Sequence, residues 1–249
     1  MNMLKITALV LSAGIASSAA QAELFVWDWA VGDTHAVNTG GTFDSIRTTY
    51  DDTTSVFTWE MTFSDQITDG FTLAVNNGPN PLGHAGEFAL LYFDATDTDD
   101  LRLSAFAYNG EDTQQSYIDG SPDAGIQAPD EIYNSVSILD QLLSASVTDL
   151  DGSRTFAFSL DTSVINAYSP VNPGPGGDAD WSGMQFGQYI GAWVHPVTEL
   201  ATEYDNNGSL IQWGGREGFI DTSWKPTTPA PGTFALLGLG GMVISRRRR

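Results

Sequence analysis

The sequence predicts an all-β fold, two antiparallel sheets packed as a β-sandwich of jelly-roll type. Three observations carry this expectation. Apolar residues recur with a period of two rather than 3.6, the mark of half-buried strands. The loops between these runs are crowded with Gly, Pro, Asn and Asp, residues that break strands and set turns. Helix signals are few, so no helical layer is on hand to cover a sheet, and the apolar faces must bury against each other. At 249 residues the chain has room for one domain with a sizeable core.

In chain order, the first segment is not part of that body. "MNMLKITALVLSAGIASSAAQA" places Lys5 before an apolar run from Ile6 to Ile15, then small residues ending Ala20-Gln21-Ala22. That order is expected of a secretory signal peptide over 1–22, with Ala20 and Ala22 as the Ala-x-Ala cleavage positions. The mature chain then begins at Glu23.

The body is expected over 23–224. In "VFTWEMTF", Phe57, Trp59, Met61 and Phe63 share one face, and Thr58, Glu60 and Thr62 share the other. "RTFAFSL" aligns Phe156, Phe158 and Leu160 in the same way. "LSASVT" aligns Leu143, Ala145 and Val147, and Asp151-Gly152 supplies the positive φ of a tight hairpin between the two runs. "FTLAV", "EFALLYFD", "LRLSAFAY", "YIGAWVH" and "SLIQW" read as further strands. "LDTSVINAY" holds at most one helical turn, capped by Asp161 or Thr162. "DEIYNSVSILDQLL" suits helix by its spacing and strand by its Val, Ile and Tyr content, and stays open.

Residues 225–249 form a linker and a second address. Pro229 and Pro231 prevent helix just ahead of a run of apolar or small residues from Gly232 to Ile244, leaving an extended, accessible segment. As a helix that run spans about 20 Å, a marginal crossing of a hydrocarbon core about 30 Å thick. Arg246, Arg247, Arg248 and Arg249 follow, and cationic residues at such a position are retained on the cytoplasmic side.

Proline-x-proline, a short Leu/Gly-rich helix and a terminal arginine cluster resemble the PEP-CTERM sorting signal of Gram-negative bacteria. Pro229 and Pro231 match its two prolines, and Ala230 stands where the family usually has glutamate. The resemblance implies an exported protein held transiently in the inner membrane until an exosortase, a membrane transpeptidase-like enzyme, cleaves near the motif. The stretch from "DGFTLAVNNGPNPLGHAGEFALLYFDA" through "LRLSAFAYNG" also resembles a body domain of other PEP-CTERM proteins, and implies no activity.

All 31 acidic residues lie between Glu23 and Asp221, whereas six of the ten basic residues, Lys5, Lys225 and Arg246 to Arg249, lie outside that span, so the body is more acidic than the whole chain's −21. Such a surface repels nucleic acid and anionic lipid and favours solubility and cationic partners. The chain has no cysteine, which excludes disulfides, thiolate metal sites and cysteine nucleophiles.

Chemistry has few candidates. Glu60 and Glu87 are strand glutamates of the kind a glycosidase pairs across a sugar, yet in so acidic a chain two of them are expected without a role. His35, His84 and His195 form no His-Glu-x-x-His motif, and neither a Gly-x-Ser-x-Gly elbow nor a Walker-type loop occurs. No cofactor is expected. Calcium is the one candidate, through Asp94, Asp97, Asp99 and Asp100 of "DATDTDD", with a solvated acidic loop as the simpler reading. "DLDG" at Asp149–Gly152 and "DNNG" at Asp205–Gly208 open like calcium loops and lack the twelfth-position glutamate, so they read as turns. Trp27 and Trp29 share a strand face and, like Trp181 beside Asp178 and Asp180, are candidates for sugar stacking, with filling of the sandwich as the simpler reading of each ring; Trp59, aligned with Phe57 and Met61, is a candidate for core.

The expectation is therefore a secreted, non-catalytic β-sandwich of a Gram-negative cell envelope or extracellular matrix. Its expected partners are the export machinery and an exosortase-type enzyme, with extracellular polysaccharide as a further partner and nucleic acid excluded. A carbohydrate-binding module is the alternative, and a polysaccharide-degrading enzyme with paired carboxylates a weaker one.

Overall fold

A computed structural model describes residues 24–37, 40–76, 89–107, 130–168, 186, 190–222 and 230–231. The signal-peptide positions Ala20 and Ala22, the linker with Pro229, and everything from Gly232 to Arg249 lie outside the described residues, as do Glu87, His84 and Trp181. Among the described residues, no helix is long and apolar enough to cross a membrane.

The described body is antiparallel β-structure in two layers. The first sheet contains β1 (Leu24–Ala30), β3 (Phe43–Asp51), β4 (Val56–Phe63), β9 (Leu142–Leu150), β10 (Ser153–Asp161) and a two-residue strand, β14 (Ala230–Pro231). Their order is β14-β1-β3-β4-β10-β9. The second sheet contains β2 (His35–Val37), β5 (Gly70–Asn76), β6 (Ala89–Asp94), β7 (Arg102–Ala107), β8 (Asp130–Tyr133), β11 (Gly191–Tyr204) and β13 (Phe219–Asp221). It runs β2-β13-β11-β5-β6-β7-β8, with β12 (Leu210–Glu217) paired to β11.

The period-two pattern places the core. Phe57, Trp59, Met61 and Phe63 of β4 are buried, as are Phe156, Phe158 and Leu160 of β10. Across the gap stand Phe71, Leu73 and Val75 of β5 and Leu91 and Phe93 of β6. The layers meet ring on ring: Phe71 lies edge-on to Phe156 at 5.6 Å and Phe93 stacks on Phe158 at 5.9 Å. Such contacts add about 0.5–1.5 kcal/mol each beyond area burial, which suits a body stapled by no disulfide. Trp27 and Trp29 belong to this core and are buried. Their shared face was legible, but it points inward.

The second sheet is covered on its outer side as well, so all six residues of β6 are buried. β11 makes this possible. Its first half pairs with β5 and β13; after a bulge between Thr198 and Ala201, with Glu199 at φ 55, its second half pairs with β12 alone. A bulge bends and twists its strand, and here the β11–β12 hairpin lays Trp213 and Leu210 over Tyr92, Leu90 and Phe106. Trp213 meets Tyr92 edge-on at 5.2 Å.

The open stretch 130–143 resolves into three pieces, namely β8, a 3-10 turn at Ser137–Asp140 and the start of β9. Val136, Leu139 and Leu143 are exposed, so the apolar spacing there marks no buried helical face. A single helical turn, α1 (Ser163–Ala167), follows β10. Asp161 Oδ1 accepts the Ser163 amide at 2.9 Å, while the Thr162 hydroxyl turns away to the Ser55 carbonyl. Asp151 and Gly152 both have positive φ, 51° and 86°, and close the β9–β10 hairpin.

Candidate functional site

The acidic loop that the sequence singles out begins at the end of β6. Asp94 is 4% exposed, and both its oxygens are engaged. Oδ1 accepts the Thr96 amide at 3.0 Å and the Thr96 hydroxyl at 2.7 Å. Oδ2 accepts the Thr202 hydroxyl at 2.8 Å and the Tyr204 hydroxyl at 3.1 Å. Four donors therefore meet one buried carboxylate, two of them delivered by the bent half of β11. This is how a buried carboxyl group has its oxygens satisfied.

Asp97 and Asp100 of the same loop look elsewhere. Asp97 Oδ1 accepts the Asp99 amide at 3.0 Å, a local turn. Asp100 accepts Arg102 Nη2 at 2.6 Å and Nε at 3.1 Å. The Arg102 guanidinium also lies 4.7 Å over the Tyr204 ring, a cation–π contact. No three acidic or histidine side chains among the described residues converge as a metal would require. The same holds for the two "calcium-loop" stretches. Asp205 caps its own turn through the Asn207 and Ser209 amides, both at 2.8 Å, and these bonds hold its carboxyl below the usual range. Asp149 is gripped by Arg154, which likewise lowers its pKa.

Around this anchor lies a polar cleft of about 370 Å³, lined by Asp94, Thr96, Asp97, Arg102, Thr202 and Tyr204. A second groove of about 300 Å³ adjoins it and shares Asp100, Arg102 and Tyr204, so the Arg102–Tyr204 pair is the ridge between them. Burial, with Asp94 next in effect, pushes the Tyr204 phenol far above its ordinary range. The ridge is thus a neutral phenol beneath a guanidinium, suited to contact rather than proton transfer.

Two other sequence candidates are now placed. Glu60 is exposed on the outer face of the first sheet, opposite Arg47 in register, and Arg47 is paired to Asp28 at 2.8 Å. His195 of β11 accepts the Trp193 indole N–H on Nε2 at 2.7 Å, so the ring proton belongs on Nδ1, 3.1 Å from the Gly218 carbonyl. Burial lowers the His195 pKa, and Glu217 and the Gly218 carbonyl oppose it. Trp193 stacks on Phe219 at 4.9 Å, and His35 meets Phe219 edge-on at 5.1 Å. This aromatic row spans β11, β13 and β2 on the side away from the core residues Val194 and Ile220. Sequence alone does not show this row, because its members are separated by more than 20 residues and come together only through strand register.

Of the sorting-motif residues, Ala230 and Pro231 are described. They are extended, as the prolines demand, but not free: β14 pairs antiparallel with β1, Ala230 opposite Val26 and Pro231 opposite Phe25.

The described body thus defines a two-layer antiparallel β-sandwich with a polar cleft at one sheet and a strand from the tail docked on the edge of the other. Residues 227–249 match the family model described as the PEP-CTERM protein-sorting motif. No curated protein and no solved structure matches the chain. The motif indicates a bacterial protein exported to the cell envelope or surface and implies processing by an exosortase-type sorting system.

Proposed function

We propose that the chain is an exported, non-catalytic β-sandwich sorted to the surface or extracellular matrix of a Gram-negative cell through its tail. The observation that carries this reading is the sorting-motif match over 227–249. In this reading 1–22 is a signal peptide, 23–224 is the sandwich, of jelly-roll type, and 225–249 is the linker and tag, whose apolar run anchors the protein transiently in the inner membrane. Carboxylates occupied by their own neighbours, as at Asp94 and Asp100, support a body that works by contact rather than by acid–base chemistry. The test is the C-terminal mass of protein recovered from a host with and without its exosortase-type enzyme. Loss of the arginines only in the presence of the enzyme supports the reading. An intact Arg249 on freely soluble protein in both hosts overturns it.

A second reading, a carbohydrate-binding module, is favoured by the partly exposed Trp193–Phe219 stack on the outer face of the second sheet. Aromatic faces with adjacent polar groups suit sugar rings. Binding on a polysaccharide array that is lost in Trp193→Ala but kept in Glu60→Gln supports it; a blank array rejects it.

A further inference from the structure

We propose that the β1 edge of the folded sandwich is a built-in dock for the chain's own sorting motif, so that a processing enzyme meets the motif only after β14 has peeled away. The inference rests on the sorting reading above and adds a step to it.

The register carries the argument. Among the described residues, β14 is the outermost strand of its sheet and its only strand neighbour is β1. In an antiparallel pair, directly opposed residues alternate between those exchanging two N–H···O=C bonds and those exchanging none. Pro231 has no N–H, so the Phe25–Pro231 pair is of the second kind and Val26–Ala230 is the bonded one. Val26 therefore turns its backbone N–H and C=O outward to the tail, whereas Phe25 turns its own inward to Tyr50 of β3. Proline fits an edge strand at such a position because no donor is needed from it there. The proline-x-proline spacing thus suits strand pairing through the central residue alone. One bonded pair gives a reversible hold rather than a permanent one. An enzyme that binds the same backbone groups must compete with β1 for them.

Two features make the dock testable in the full-length chain. The protein has no cysteine, so Val26→Cys with Ala230→Cys introduces the only thiol pair, and the register brings these positions within reach of a disulfide. Val26→Pro removes the one β1 donor that faces β14 and spares the donors that face β3.

The first measurement is disulfide formation in the purified double variant under mild oxidant. Rapid, quantitative closure supports the dock. Persistence of free thiols overturns it, whatever happens in cells. The second is processing by membranes containing an exosortase-type enzyme. Wild type and the reduced double variant should be cleaved, the oxidised one should not, and reductant should restore cleavage. Val26→Pro, checked for folding by its thermal transition, should be cleaved about fivefold faster, the factor that one net hydrogen bond represents. Equal cleavage of oxidised and reduced forms overturns the proposal. Failure of the enzyme to cleave wild type counts against the sorting reading instead, and disulfide closure still decides the dock.

Discussion

The Tyr204 hydroxyl donates to Asp94 at 3.1 Å, tying the bent end of β11 to the end of β6 across 110 residues of sequence. The bond fixes the hairpin that covers the outer face of the second sheet, and its two ends are not equivalent. Removing the donor, as in Tyr204→Phe, leaves Asp94 with three others and should cost about 1–2 kcal/mol. Asp94→Ala strands Thr96, Thr202 and Tyr204 together and should cost about 3 kcal/mol or more. Urea denaturation of the two variants tests the ranking. Equal losses would mean that Asp94 is not the hub.

His195 gives the protein a slope with pH. Burial lowers its folded-state pKa below the ordinary histidine value of about 6.5, so the unfolded chain takes up the proton more readily. The contribution of the neutral ring is therefore complete above pH 6.5 and is lost as pH falls through that value toward the lower folded pKa. Protonation also puts a hydrogen on Nε2, where the Trp193 indole now donates. Melting temperature should decline from pH 7.5 to 5.5 in wild type, and less so in His195→Gln. A parallel decline in both would assign the slope to other groups.

Much of the layering was legible because strand alternation is a local signal. Thr58, Glu60 and Thr62 stay on the outside of β4 just as their spacing requires. What was not legible depends on elements far apart in sequence. "DATDTDD" displays its carboxylates, but Thr202 lies 108 residues beyond Asp94, so nothing local shows that this aspartate is already occupied. "YIGAWVH" reads as a strand that ends near His195, whereas β11 continues to Tyr204 through a bulge whose residue of positive φ is a glutamate rather than a signalling glycine. The alignment of Trp27 with Trp29 was visible, but the side that became core was settled by the sheet opposite.

Two glycines serve close approach rather than turning. A Cβ at Gly70 would strike the Phe93 carbonyl oxygen and lie 2.8 Å from Leu200 Cδ2; one at Gly40 would strike the Pro196 carbonyl. Backbone atoms cannot step aside cheaply, so Gly70→Ala and Gly40→Ala should each cost about 2–3 kcal/mol. Gly152 faces open space at φ 86°, and Gly152→Ala should cost only about 1 kcal/mol from the left-handed backbone. Chemical denaturation separates the two classes, and a Gly152 effect as large as the others would contradict this division.

Calcium should leave the body unchanged. Asp94, Asp97 and Asp100 of the 94–100 loop are bound by Thr96, Thr202, Tyr204, the Asp99 amide and Arg102. An ion of that kind takes six to eight oxygens, so binding here would first have to dismantle these bonds. Melting temperature should be the same in millimolar calcium and in chelator. A rise with calcium would reverse this conclusion and point to ligands contributed from outside the described residues.

Arg154 joins the layers, and its three bonds are unequal in consequence. Nε and Nη2 grip Asp149 of β9 in a fork, both at 2.8 Å, while Nη1 donates to the Thr68 carbonyl at 2.8 Å. Thr68 is buried in the segment that carries the chain from β4 in one sheet to β5 in the other, and its own hydroxyl is bound to the Gly40 carbonyl. The carboxylate partner is 40% exposed, so Asp149→Asn should cost no more than about 1 kcal/mol, an effect that salt reduces. Lysine cannot span the fork and the carbonyl together, because it lacks the planar guanidinium. Arg154→Lys should therefore cost more than Asp149→Asn, about 1–2 kcal/mol, and should keep that cost in high salt, since what it loses is a hydrogen bond at the junction of the sheets. Equilibrium unfolding of both variants at low and high salt measures this difference. Identical salt-sensitive losses would reduce Arg154 to a surface ion pair with no role in holding the layers together.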